Sequence, residues 1–176
     1  MYPFNASLVK KFTVQKGQTT EYFPAAIAGK LPTQVLLVMT ETAADLGHIN
    51  KNPFNFRHFD LSRAALSVDG QLKKEYRCGF KTDQVDELLS AFYQNVTVHN
   101  SNSGVVVNRE YFKGGCTIIS WNLTGDKSNY MITKHGTVDI ELEWATALPE
   151  GITVVILAIY DDLLQIDMNR NITIAP

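Results

Sequence analysis

The sequence predicts an all-β fold, an antiparallel β-sandwich with one short helix, and three observations carry this. From Val138 to Trp144 the apolar residues Val138, Ile140, Leu142 and Trp144 alternate with Asp139, Glu141 and Glu143, the period of two shown by a strand with one wet face. The run Ile152 to Tyr160 is almost wholly apolar and rich in β-branched residues, which suits a strand in the middle of a sandwich. A single segment, Thr82 to Tyr93, departs from this rhythm: Val85, Leu88, Leu89 and Phe92 fall on one helical face.

Taken in order, a first strand is expected over Leu8–Val14, ended by the turn signal Lys16-Gly17, and a second over Pro32–Met39. Thr40 to Phe56 reads as a polar loop carrying Gly47, Asn50, Asn52 and Pro53. Strand character resumes over Leu61–Val68, and Asp69-Gly70 gives a hairpin turn, because only residues tolerating positive φ fit its centre. The helix is expected over Val85–Phe92, with Thr82 or Asp83 as cap and acids in the first turn, where the helix dipole favours them. Asn100 to Gly104 is an exposed loop, and Arg109–Phe112 with Gly114-Gly115 leads into a strand over Cys116–Asn122 that Gly125-Asp126 ends. Asp161-Asp162 reads as a turn between two strands, with Asp167 and Arg170 paired beyond it. Trp144, Val154, Ile156 and Val38 are the expected core residues.

Composition excludes several classes of function. The chain has 176 residues, enough for one domain, residues 1–176, to bury a core without staples, and its hydrophobic fraction of 45% is that of a globular chain. A net charge of −2, with only Lys10-Lys11 and Lys73-Lys74 as basic doublets, argues against direct nucleic-acid contact. No apolar run approaches the roughly 20 residues that span a bilayer, and the start Met1-Tyr2-Pro3-Phe4-Asn5 lacks the form of a secretion signal. Asn5-Ala6-Ser7, Asn95-Val96-Thr97, Asn122-Leu123-Thr124 and Asn171-Ile172-Thr173 match the glycosylation triplet and, without such a signal, read as chance matches.

Chemistry is equally sparse. Cys78 and Cys116 have no CxxC spacing and are expected to be buried thiols. His48, His58, His99 and His135 are scattered, so no metal site is expected. Ser62, Ser67 and Ser120 lie in strand contexts rather than in a nucleophile elbow, and Gly114-Gly115 lacks the strand–loop–helix setting of a phosphate loop. No catalytic residue, metal ligand or cofactor-binding residue is assigned, and the chain is not expected to be an enzyme. Phe54, Phe56 and Phe59 read as the closure of one end of the sandwich, with sugar stacking as the alternative.

Strand count and the single helix fit a two-sheet sandwich. An eight-stranded jelly roll is preferred, with an immunoglobulin-type Greek key as the alternative that the pattern leaves open. A set of ordered blocks bears on that choice: Tyr2-Pro3-Phe4, Gly29-Lys30-Leu31-Pro32, Asn52-Pro53-Phe54-Asn55-Phe56-Arg57-His58-Phe59, Val68-Asp69-Gly70-Gln71, Asn122-Leu123-Thr124, Lys134-His135-Gly136, Ala147-Leu148-Pro149, and Ile166-Asp167-Met168-Asn169-Arg170-Asn171. Over nearly the whole chain they resemble the C-terminal jelly roll of the double-jelly-roll, capsid-like proteins of Maverick/Polinton elements and adintoviruses. The resemblance implies a structural capsid protein of the virion and its intracellular assembly site. It also implies a homo-oligomer, trimeric or pentameric, with other capsid proteins as partners and no cofactor. A two-barrel protein is about twice this long, so the chain reads as an isolated domain, a fragment or a free-standing relative. Two other readings stand beside this one: a jelly-roll binding module for glycans or a receptor, and a host protein derived from a capsid gene. Interfaces are expected on the loops carrying His48, Phe54, His58 and Asn102, since loops tolerate specialisation while the sandwich holds them.

Overall fold

The computed structural model describes residues 2–97, 107–124, 135–166 and 172–175. Its elements are β1 (Tyr2–Val14), β2 (Thr20–Lys30), β3 (Gln34–Glu41), α1 (Thr42–Asp45), β4 (Leu61–Val68), β5 (Gln71–Arg77), α2 (Asp86–Thr97), α3 (Arg109–Gly115), β6 (Ile118–Asn122), β7 (His135–Trp144), β8 (Ile152–Ile166) and β9 (Ile172–Ala175). One sheet has the order β1-β8-β3-β6, with short β9 beside the far end of β8; the other has the order β2-β7-β4-β5. Every ladder between these strands is antiparallel. Apart from the β4–β5 hairpin, consecutive strands from β1 to β8 alternate between the sheets, which is the winding of a jelly roll rather than a meander.

The period-two reading of β7 holds along the strand: Val138, Ile140, Leu142 and Trp144 are buried, and the acids between them lie on the other face. On β8, Ile152, Val154, Ile156 and Ala158 are buried and meet them across the sandwich core. Val38 is a correction. The buried residues of β3 are Val35, Leu37 and Met39, whereas Leu36 and Val38 are half-buried. An unbroken apolar run does not say which alternate set faces inward. Cross-strand pairing decides it, because Met39 stands opposite Val154 and Leu37 opposite Ile156.

Several boundaries also differ from expectation. The first strand begins at Tyr2, and β2, which the sequence reading does not contain, fills Thr20–Lys30. A break of register between Phe23 and Ile27 interrupts β2, where Ala25 takes φ +47° and donates its N–H to Asp139 Oδ1 at 2.7 Å. As an edge strand it accommodates Pro24 there, and the Pro hides its β pattern from period counting. Asp161-Asp162 is no turn: β8 runs through both residues, pairing Asp161 with Asn5, while Asp162 forms an ion pair with Lys30 of β2. The pairing expected between Asp167 and Arg170 lies outside the described residues, as does the interface loop at Asn102.

The expected single helix is one of three among the described residues. α2 starts at Asp86, later than a cap at Thr82 or Asp83 implies; Asp86 and Glu87 occupy its first turn, and Leu88, Ala91 and Phe92 are buried. It packs along β6 at the open side of the sandwich, where Asn95 Nδ2 donates to Ser120 Oγ at 2.6 Å. Below it the Tyr76 hydroxyl donates to the Ser120 carbonyl at 2.7 Å, and the Tyr76 and Trp121 rings lie 5.8 Å apart. α3 is capped by Asn108, whose side chain accepts the Tyr111 N–H at 2.7 Å, and it buries Phe112. α1 is a single turn with buried Ala44, too short for any periodicity to announce it.

The hairpin turn is as the sequence predicts, with Asp69 at φ +50° and Gly70 at φ +75°. A side chain at Gly70 meets no neighbour within 4 Å, so its substitution tests backbone conformation alone. Gly70→Ala is expected to lower stability by about 1–2 kcal/mol, the cost of a left-handed residue with a Cβ, and denaturant unfolding measures it.

Candidate functional site

The loop between α1 and β4 gathers most of the residues singled out from sequence. His48 is exposed, and its Nδ1 accepts the Asn50 N–H at 3.2 Å. Asn52 Oδ1 accepts the Phe54 N–H at 3.0 Å, which makes an Asx turn, and the Phe54 ring is 75% exposed, edge-on to Phe56 at 6.5 Å. Phe56 is tied by its backbone to the end of α3 and the start of β6, with its N–H on the Gly115 carbonyl at 2.8 Å and its carbonyl on the Thr117 N–H at 2.9 Å. An ionic cluster closes the base of the loop: Arg57 lies 2.6 Å from Glu41 and 3.3 Å from Glu150, and Lys51 pairs with the same two carboxylates. The hydrogen bond from Lys51, reinforced by Arg57, holds the Glu41 carboxyl below its ordinary pKa.

His58 begins a strained corner. Phe59 and Asp60 both take left-handed backbone, φ +47° and +61°, and the Asp60 N–H donates to His58 Nδ1 at 2.8 Å. The imidazole lies flat on Phe80, 4.0 Å between centroids, and the Arg57 guanidinium sits 5.0 Å from the centre of the Phe59 ring. Arg57, His58, Asp60, Lys81 and Lys113 line a cleft of about 320 Å³ here. Each of its primary cations already faces a carboxylate: Arg57 on Glu41, Lys81 on Asp60 at 2.5 Å, and Lys113 on Asp83 at 2.7 Å. Burial pushes the His58 pKa down; Asp60 opposes this, while Arg57, Lys113 and Lys81 add to it. With the folded-state pKa below the unfolded one, His58 contributes its stability in full above the ordinary histidine range and loses it as pH falls through that range. Melting temperatures are therefore expected to fall between pH 7 and pH 5 in the parent and to fall less in His58→Phe.

The two outer faces of the sandwich are chemically opposite. On the β2-β7-β4-β5 sheet, Arg63 stands among Glu143 at 2.6 Å, Glu141 at 2.9 Å and Glu75 at 3.3 Å, and Glu75 also meets Arg77 at 2.5 Å. Ser62, Arg63, Arg77 and Glu143 edge a shallow depression of about 360 Å³ on this face. On the other sheet the outward rows are apolar at their centre and polar at their flanks, where they carry Lys11, ion-paired with Asp45, and Ser7, Gln34 and Ser120. Val155 pairs with Val38, which pairs with Ile118; Leu157 pairs with Leu36 on one side and with Val9 on the other; Ile159 follows one row on. Val9 is 54% exposed and the others are half-buried. The sequence reading placed Val38 inside the core and so missed this face. The signal that finds it is the run in which both alternate sets are apolar, since strands of that kind are ordinarily covered on both sides.

Among the described residues no group of three or more His, Cys, Asp or Glu is placed to hold a metal ion. Cys78 and Cys116 are free and half-buried; burial pushes Cys78 up to about 12 and raises Cys116 as well, so both rest as thiols. His135 opens β7, far in sequence from His48 and His58, and His99 lies outside the described residues. No helix among the described residues is long and apolar enough to cross a membrane.

Strand order and winding define a jelly-roll protein. No protein-family model matches the chain. Among solved structures, a chain of the Sputnik virophage superposes with a TM-score of 0.61 at 13% identity, over 98% of this chain and 38% of that one. The mavirus major capsid protein superposes with a TM-score of 0.51 at 12% identity, over 99% of this chain and 41% of that one. A Caenorhabditis elegans protein, described as uncharacterized protein F54H12.2, is 21% identical over 183 residues, covering 97% of this chain and 42% of its own length. The chain thus shares the fold of these two solved chains and spans about two-fifths of the length of the three proteins named here.

Proposed function

We propose that the chain is a structural, capsid-type jelly roll that self-assembles through protein–protein interfaces and has no enzymatic role. The observation that carries this reading is the superposition, over nearly its whole length, on the mavirus major capsid protein and on a chain of the Sputnik virophage. In this reading residues 1–176 form one jelly-roll domain, its partners are further copies and other capsid proteins, and it belongs in a virion. Kinship with the Maverick/Polinton capsid-like proteins is part of the proposal, supported by the ordered sequence blocks described above.

Sedimentation over rising concentration, followed by electron microscopy for rings or shells, tests it. Trimers, pentamers or particles are expected; a strict monomer at the highest concentrations overturns it. One observation favours a second reading, a binding module: Phe54 stands 75% exposed at a loop tip braced by the Asn52 side chain. Binding to a glycan panel that is lost in Phe54→Ala would replace the structural reading with that one.

A further inference from the structure

We infer that His58 is an acid-sensitive latch: its neutral imidazole holds the Phe59-Asp60 corner closed, and protonation of the ring releases it. The inference goes beyond the structural role proposed above and does not depend on it. Two successive residues, Phe59 at φ +47° and Asp60 at φ +61°, take the left-handed conformation. For a bulky residue such as Phe59 that conformation is strained and persists only while its surroundings hold it. His58 supplies one such restraint, its Nδ1 accepting the Asp60 N–H at 2.8 Å. A ring nitrogen that accepts there carries no proton, so the neutral ring is protonated on Nε2. The corner is also a junction. The His58 carbonyl accepts the Leu61 N–H, where β4 starts, and the Asp60 carbonyl accepts the Ala145 N–H just past β7, each at 2.9 Å.

Protonation acts on this corner in two ways. An imidazolium donates at both nitrogens, so Nδ1 no longer accepts and its N–H opposes that of Asp60. The new charge also arrives among like charges: Arg57 from the loop, Lys81 from the link between β5 and α2, and Lys113 from α3 line the same cleft. Asp60 is the acid that faces the ring, and its carboxylate is already engaged by Lys81 at 2.5 Å and by the Thr146 hydroxyl at 3.4 Å. Stacking on Phe80 attracts the charged ring as well as the neutral one, so the acceptor bond and not the stack is what acid breaks. Burial, with Arg57, Lys113 and Lys81 adding to it and Asp60 opposing, places the transition below the ordinary histidine range. The ionic base of the loop outlasts it, because Lys51 and Arg57 hold the Glu41 carboxyl below its ordinary pKa. Acid therefore frees one corner of the loop that carries Phe54 rather than the whole loop. His48 is an internal control. Its Nδ1 accepts the Asn50 N–H in the same two-residue geometry, but on an exposed turn where neither Ile49 nor Asn50 is left-handed.

The test is amide hydrogen exchange by NMR at pH 7 and pH 5, read as protection relative to the unstructured chain. In the parent the Asp60 and Ala145 amides are expected to lose protection roughly tenfold, within the ceiling of about tenfold per pH unit that a single proton sets. The Ile156 amide in β8 is expected to change less than about twofold, which marks the event as local. His48→Asn should follow the parent. His58→Asn keeps an acceptor that does not titrate, the bond Asn52 already makes to the Phe54 N–H, and should hold its protection within about twofold. The parent ring gives a reading that needs no variant: nitrogen shifts should show His58 Nδ1 without a proton at pH 7, and should titrate with the same midpoint as the Asp60 amide. Four results overturn the latch: a corner still protected at pH 5, a loss in His58→Asn equal to the parent's, separate midpoints for ring and amide, or a loss shared equally by Ile156.

Discussion

A Trp144→Ala variant is expected to lose about 3–5 kcal/mol of stability, the range for truncating a buried aromatic side chain. Trp144 ends β7, the strand between β2 and β4, and is only 4% exposed. Opposite it on β4 is Leu61, itself buried, and its backbone N–H is fixed to the Thr19 carbonyl at 2.8 Å. Neighbours held in a ladder on both sides relax little, so the cavity remains and adds to the lost transfer energy. The indole N–H has no acceptor among the described residues. Trp144→Phe therefore forfeits no hydrogen bond and is expected to cost about 1–2 kcal/mol. Urea unfolding of both variants gives the comparison; an alanine variant within about 1 kcal/mol of the parent would show that this end of the sandwich collapses freely.

Loss of the Arg63 side chain is the second large effect. Its guanidinium is shared by Glu141, Glu143 and Glu75, and the Arg63 side chain is only 20% exposed. Removing it leaves Glu141 and Glu143 on one face of β7, two residues apart, with no ion-pair partner among the described residues, Arg77 being engaged by Glu75. Breaking a fully buried pair costs about 3–5 kcal/mol, but Glu141 and Glu143 are 42% and 36% exposed and water screens them, so about 2 kcal/mol is expected for Arg63→Ala. Arg63→Met keeps the aliphatic stem and separates packing from charge. The signature is the pH dependence. Arg77, and with it Arg63, holds the Glu75 carboxyl below its ordinary pKa, a stabilisation present above the carboxylate range and lost as pH falls through it, so the deficit of the variant should shrink as pH falls through that range. A deficit that is flat with pH, and absent in Arg63→Met, would assign the loss to packing alone.

What the sequence determined by itself was whatever local periodicity and turn chemistry encode. The alternation in β7 named its buried set residue by residue, the Asp69-Gly70 turn followed from the two residues that tolerate positive φ, and the helical spacing of Val85, Leu88 and Phe92 marked α2. The tertiary structure alone decided what depends on partners distant in the chain. Asp161-Asp162 looks like a turn until Asn5 and Lys30 pair with it from the other end of the sequence. β2, carrying Pro24 and a break of register, is a strand because β7 supplies its ladder. Val38 and Leu37 are indistinguishable within an apolar run, and only the register against Val155 and Ile156 turns one outward and the other into the core. A one-residue choice of that kind exchanges the two faces of a strand, so the apolar centre of the outer sheet becomes visible only once the strands are placed side by side.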